Sequence, residues 1–356
     1  MPKRIPGKSG KSRMAMFTMA ILCLQTGLAQ LRKPLDSLQW LTTGTNTSIR
    51  AVSVVNDKLI WVSGSGGMVG NSGDAGLHWR WHLVPGAGNQ DYRCLKAFNS
   101  RKAIIINAGD PAKILLTRDG GYRWEQVFAS ALPGIFFDGM TFWNAHQGIA
   151  VSDPVNGKFF LLVTRDGGEK WRPLPAAGLP VADSGEASFA ASNTTLIHGP
   201  HRKLWLATGG VVSRVFCSQD GGKNWKAFPC KIIQGKPTTG IFSMAFYDQK
   251  QGIVVGGDYQ SDRVRLDNAL LTADGGRTWR KPRTNPYGYR SAVAYLTSRI
   301  LIATGPTGTD ISRDGGDSWK HLSDVGFNVA KSLGNHRTIL LAGNHGSIAR
   351  WVADSK

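Results

Sequence analysis

Apolar and polar positions alternate in short runs from Leu38 to Val352, and Gly, Asp, Asn and Pro punctuate the runs. A period of two over about four to six residues predicts β-strands with one buried face. One unit shows the scheme well: Arg93 to Phe98, Ala103 to Asn107, Lys113 to Thr117 and Trp124 to Phe128 read as strands A to D. Arg50 to Val55, Leu59 to Ser63, Met68 to Ser72 and Trp79 to Val84 form an equivalent unit before it. Phe242 to Phe246, Gly252 to Gly256, Ala269 to Thr272 and Trp279 onward form another. A sustained 3.6-residue pattern is missing, so a helical fold is excluded.

Between strands C and D one stretch recurs. Thr117 to Trp124, Thr164 to Trp171, Ser218 to Trp225, Thr272 to Trp279 and Ser312 to Trp319 all read Ser/Thr-x-Asp-x-Gly-x-x-Trp, and Ser72 to Trp79 is a looser sixth copy. Asp-Gly is a strong hairpin-turn signal. The carboxylate can accept turn N–H groups as in an Asx-turn, and glycine supplies positive φ at no steric cost. The Trp can fold back as an apolar plug. Asp74, Asp119, Asp166, Asp220, Asp274 and Asp314 therefore read as structural residues.

Those aspartates are 45, 47, 54, 54 and 40 residues apart. A period in this range, with four short strands per repeat, predicts a β-propeller. Beyond the last copy, Asn328 to Leu333, Thr338 to Ala342 and Ser347 to Val352 are three strands without the motif, and Leu38 to Thr42 is a single strand ahead of the first unit. Pairing that strand with the C-terminal three completes a seventh blade and removes an exposed edge. The expected fold is all-β, one seven-bladed propeller of four-stranded antiparallel blades over residues 30–356.

Composition changes this picture at the N-terminus. Lys3, Arg4, Lys8, Lys11 and Arg13 precede the apolar stretch Met14 to Leu24, and Gly27-Leu28-Ala29 offers small residues at a cleavage site. Residues 1–29 are expected to be a signal peptide, too short in its apolar part to span a bilayer. The protein is then exported, to the periplasm or the medium, with no membrane span after cleavage. The whole chain carries a net charge of +19; the leader accounts for five of these charges. Basic residues beyond it are dispersed, so contact with an acidic surface is open but nucleic acid is not an expected partner. Cleavage leaves Cys94, Cys217 and Cys230. Cys217 and Cys230 flank one hairpin, where a cross-strand disulfide can form or not; Cys94 reads as a buried thiol. The spacing of Cys and His fits no metal, and no fingerprint calls for a cofactor.

Candidate chemistry gathers on the propeller face opposite the C–D turns. The B–C loops include Gly109-Asp110-Pro111, Ser152-Asp153-Pro154, Gly257-Asp258-Tyr259 and Gly343-Asn344-His345. The residues that open each strand A read Arg50, Arg93, Asp138, Glu186, Phe242, Arg290 and Asn328, and Tyr92 and Tyr289 precede two of the arginines. This pattern predicts a mouth carrying three arginines and about five carboxylates. Arg50, Arg93, Arg290, Asp110, Tyr259 and His345 are the candidate ligand-binding residues. Arginine forks suit carboxylates or phosphates, and acids accept from hydroxyls or amines.

The repeated motif is the Asp-box. Together with Gly148 to Pro154, Gly185 to Ser192, Leu206 to Gly210 and the stretch Gly240 to Tyr259, it resembles the photosystem II stability/assembly factor-like propellers within the Asp-box (BNR-repeat) class, in a bacterial, non-photosynthetic branch. The likeness covers nearly all of the chain after the leader. It implies a propeller that binds a protein partner or a small polar or anionic ligand; the reading preferred here is a non-catalytic scaffold, expected to be a monomer. The alternative is a glycoside hydrolase of sialidase-like type. In it Arg50, Arg93 and Arg290 mimic an arginine triad, and Asp138, Asp153, Glu186 and Asp258 are the candidate catalytic acids. Sialidases have six blades, and their Arg-Ile-Pro element has only Arg4-Ile5-Pro6 as an echo here, inside the leader.

Overall fold

Seven sheets carry the chain in a computed structural model that describes residues 38–41, 44–130 and 132–353. The expected signal peptide, with Cys23, lies outside the described residues. Six antiparallel blades follow in chain order, with innermost strands Ile49–Val54, Tyr92–Ala97, Phe137–Phe142, Leu196–His198, Thr239–Phe246 and Ala292–Tyr295. The seventh blade consists of Val329–Ser332, Thr338–Ala342, Ile348–Val352 and, outermost, Gln39–Leu41. The protein is a seven-bladed β-propeller closed by its N-terminal strand. Gln39 faces Arg350 across that seam, and the Arg350 Nε–H donates to Gln39 Oε1 at 3.1 Å. Blade five is the irregular one: its outermost strand shrinks to a bridge between Leu271 and Arg280.

The second strand is deeply buried in most blades, and Ile60–Gly64, Ala103–Asn107, Leu204–Ala207, Leu301–Gly305 and Thr338–Ala342 are buried throughout. A central strand with both faces covered has no reason to alternate, which is why these runs read as continuous. The core lies between blades. Trp61, for example, packs with Tyr92, Leu95, Ala97 and Ile105 of the next blade.

The repeated turn is built the same way six times. Thr117 Oγ1 donates to Asp119 Oδ1 (2.9 Å) and accepts the Gly121 N–H (3.0 Å). Asp119 Oδ1 accepts the Arg123 N–H (3.0 Å), and Trp124 Nε1–H donates back to the Gly121 carbonyl (3.0 Å). Thr164, Asp166, Gly168, Lys170 and Trp171 repeat these bonds at 2.9, 2.9, 3.0 and 3.2 Å. Gly121 and Gly168 have φ of +99° and +87°, a region that a side chain would strain.

Blade four differs from expectation. Glu186 does not open its innermost strand; Leu196–His198 is that strand. Glu186–Ala187 instead pairs with Gly209–Gly210, and Gly209 pairs with Gly240 of blade five. The intervening segment, residues 188–195, reaches four other blades across the centre. Ser188 N–H donates to Asp153 (3.0 Å), Met140 N–H to Asn193 Oδ1 (2.8 Å), Asn193 Nδ2 to the Leu95 carbonyl (3.4 Å) and Ser192 Oγ to the Ser291 carbonyl (2.8 Å). Thr194 Oγ1 donates to Ser243 Oγ at 2.8 Å. This segment is a plug in the central channel.

The three described cysteines are buried free thiols. Cys217 sits opposite Lys226 in its hairpin, whereas the Cys230 N–H bonds the Ser213 carbonyl near the other end. The register holds the two apart, so the disulfide left open by the sequence does not form. Among the described residues no helix is long and apolar enough to cross a membrane.

Candidate functional site

Five strand irregularities aim side chains into one cavity. The ladder skips a residue between Ile49 and Ala51, Tyr92 and Cys94, Phe137 and Gly139, Ile241 and Ser243, and Ser152 and Pro154. The skipped residues are Arg50, Arg93, Asp138, Phe242 and Asp153. A bulge re-aims its extra residue and breaks the alternation between faces. All five line a cavity of about 530 Å³ at the mouth opposite the repeated turns, with Phe136, Phe189, Tyr259 and Tyr289.

One side of the mouth is charged. Arg93 Nε donates to Asp91 Oδ2 at 2.8 Å. Arg50 forms no ion pair among the described residues, and its buried Nε–H has no acceptor. Burial and the neighbouring Arg93 lower the Arg50 pKa, and Asp91 opposes them. A buried N–H of a guanidinium left without an acceptor is costly, and an arriving anion would relieve it. Burial, then the charge of Asp153, pushes Asp138 well above the usual carboxylate range; Arg93 and the backbone N–H groups of Ala190 and Asp153 pull the other way. Neither Asp138 oxygen has a hydrogen bond of normal geometry. Burial raises Asp153 to about 6 against the hydrogen bond from Ser188.

The other side is aromatic. Phe189, brought in by the plug, stacks on Phe242 with centroids 4.0 Å apart and an 8° interplanar angle. Tyr289 meets Phe242 edge-on at 4.7 Å, and Tyr259 does so at 6.0 Å. Tyr259 stands on the rim, 48% exposed, and Tyr289 is buried with its hydroxyl pKa raised by that burial.

Of the residues expected here, Arg50, Arg93, Asp138, Asp153, Phe242, Tyr259, Tyr289 and Asn328 come together. Arg290, Glu186, Asp258, Asp110 and His345 do not. Arg290 is wholly buried and bonded to Asp310 (Nε–Oδ2 2.7 Å), so the mouth has two arginines rather than three. Glu186 is buried under Arg214, whose Nε donates to Glu186 Oε1 at 3.0 Å and whose second nitrogen closes a fork on Oε2. Asp258 faces Lys236 at 3.6 Å and caps the Gln260 N–H at 3.0 Å. Asp110 and His345 are exposed and lie outside the cavity wall, although Asn344 belongs to it. Phe136 and Phe189 were not anticipated. A lone large aromatic among small residues, Ser188-Phe189-Ala190-Ala191, was the available signal for the second.

Among the described residues no cluster of His, Cys, Asp and Glu is arranged to hold a metal ion. No family model matches the chain, and no curated protein does. Solved structures with the same architecture are numerous. The structure of YCF48 bound to D1 peptide is 15% identical, with TM-score 0.65, covering 90% of this chain and 99% of that one. YCF48 from Cyanidioschyzon merolae is 16% identical, with TM-score 0.66 and coverage of 89% and 99%. The WD40 β-propeller domain of Doa1 is 12% identical, with TM-score 0.62 and coverage of 90% and 98%. At such identities the likeness speaks to the fold.

Proposed function

We propose that this protein is an exported, non-catalytic Asp-box propeller of the photosystem II assembly factor-like kind, in a non-photosynthetic bacterial setting. Its mouth grips an extended segment of a partner protein. The observation that carries this reading is the pairing, in one open cavity, of an unneutralised Arg50 beside Arg93 with the Phe189–Phe242–Tyr259–Tyr289 wall. Arginines suit a carboxylate of the segment, and aromatic faces suit its apolar side chains. The similar YCF48 fold, solved with a D1 peptide, supports a peptide as ligand class. Propellers serve many functions, so the site and not the fold bears the argument. The expected leader supports export to the periplasm or medium, and fractionation of cells with and without residues 1–29 tests it. Affinity capture from that compartment, compared with an Arg50→Ala/Arg93→Ala variant, tests the site. Loss of a discrete partner in the variant supports the reading, and equal recovery overturns it.

One observation favours a glycosidase as second reading: Asp138, Asp153 and Tyr289 share the cavity with two arginines. Glu186 and Asp258 are engaged elsewhere. Turnover of fluorogenic glycosides, lost in Asp138→Asn or Asp153→Asn, would establish it.

A further inference from the structure

The central channel has a second cavity, at the end where the repeated turns lie. It measures about 440 Å³ and is walled by the far ends of the innermost strands. The plug separates it from the mouth: Ala190 and Ala191 line the upper cavity, and Asn193 and Thr194 line the lower. The lower wall contains Lys96, Lys331 and His198, and no Asp or Glu.

Most polar groups of this wall are already engaged. Thr141 and His198 bond each other at 2.7 Å. Ser53 accepts the Ala97 N–H (2.9 Å), Ser332 donates to the Leu333 carbonyl (3.2 Å) and Thr194 donates to Ser243. Two ammonium groups remain. Lys96 and Lys331 make no ion pair among the described residues, and Lys96 has only the Phe98 ring, 5.7 Å away, for company. Lys331 is half-buried; burial and then the Lys96 charge lower its pKa to about 8, and His198 feels both lysines. Two ammonium groups lining one cavity with no acid in its wall lack an anion.

We propose that this lower cavity binds a small oxyanion of the phosphate class, free or as the terminal group of a small organic phosphate. The Lys96 and Lys331 ammonium groups hold its oxygens. The site is independent of the mouth and of any partner bound there.

Isothermal titration of the purified full chain with inorganic phosphate and, in a second arm, with ribose 5-phosphate tests the proposal at constant ionic strength in chloride. A saturable 1:1 heat in either arm is expected, and the stronger arm tells free from organic phosphate. Lys331→Met should weaken binding at least tenfold. Should Lys331→Met fail to fold, Lys96→Met carries the same expectation. No saturable heat in either arm overturns the proposal. So does unchanged affinity in the lysine variants, or a heat that disappears only in Arg93→Ala, which would put the anion in the mouth.

Discussion

Single residues already separate what holds this molecule together from what costs it stability. In the repeated turns the hydroxyl both donates and accepts, so Thr164→Ser should be nearly silent. Thr164→Val should cost about 1–3 kcal/mol, read by urea denaturation, because a buried N–H and a carboxylate lose their partner. Titration adds a second expectation. Hydrogen bonds from His78 hold Asp74 at about 2, and those from Thr278, Thr272 and Arg277 hold Asp274 at about 2 against its partial burial. Depressed in the fold, these groups support it above about pH 4 and lose that support as pH falls toward 2. Asp153, raised to about 6, and Asp138 act with opposite sign: their contribution is present below about pH 4 and lost as pH rises through the folded pKa. Thermal stability should therefore climb from pH 8 to about pH 5 and fall below about pH 4. Asp153→Asn should gain about 2 kcal/mol at pH 8 and flatten the upper limb. Acids kept at a cost to stability mark a site retained for something other than folding. Their types and positions were legible in the sequence; their burial was not, because it depends on the plug.

The plug and the bulged strands are where elements decide the site. Ile49-Arg50-Ala51, Tyr92-Arg93-Cys94, Phe137-Asp138-Gly139 and Ile241-Phe242-Ser243 share an apolar–x–small pattern, and in each the middle residue is the bulge that faces the mouth. Tyr289-Arg290-Ser291 has the same pattern, yet Arg290 turns away because Asp310, twenty residues on, is there to take it. Local sequence carries no cue for that long-range pair. Glu186 misled for a related reason: blade four delays its innermost strand by a segment that crosses the channel. Arg214→Met should leave the Glu186 carboxylate buried and unpaired, at a cost of about 3–5 kcal/mol by denaturation, while Glu186→Gln costs less. Gly240→Ala places a methyl 2.3 Å from the Gly209 Cα at φ +132°, and should cost about 2 kcal/mol or more.

At the scale of the whole molecule, the spacing of six aspartates, one spare strand ahead of the first repeat and three beyond the last sufficed to foresee seven blades and their closure. Each blade repeats a local rule, and a ring is what those rules build when the last sheet recruits the first strand. Trp40, half exposed, lies 5.8 Å from the Phe327 ring and pins that seam. Deleting residues through Leu41 should bare the edge of Ile348–Val352, lowering the melting temperature and promoting aggregation, measured by calorimetry and light scattering. The central proposal is that the mouth binds a partner, and a photo-crosslinking amino acid in place of Tyr259 tests that most directly in living cells. Discrete adducts with one partner, weakened at least tenfold when Arg50 and Arg93 are both changed to alanine, are the predicted result. Adducts that persist undiminished in that variant, or that form only from positions on the turn face, would contradict it.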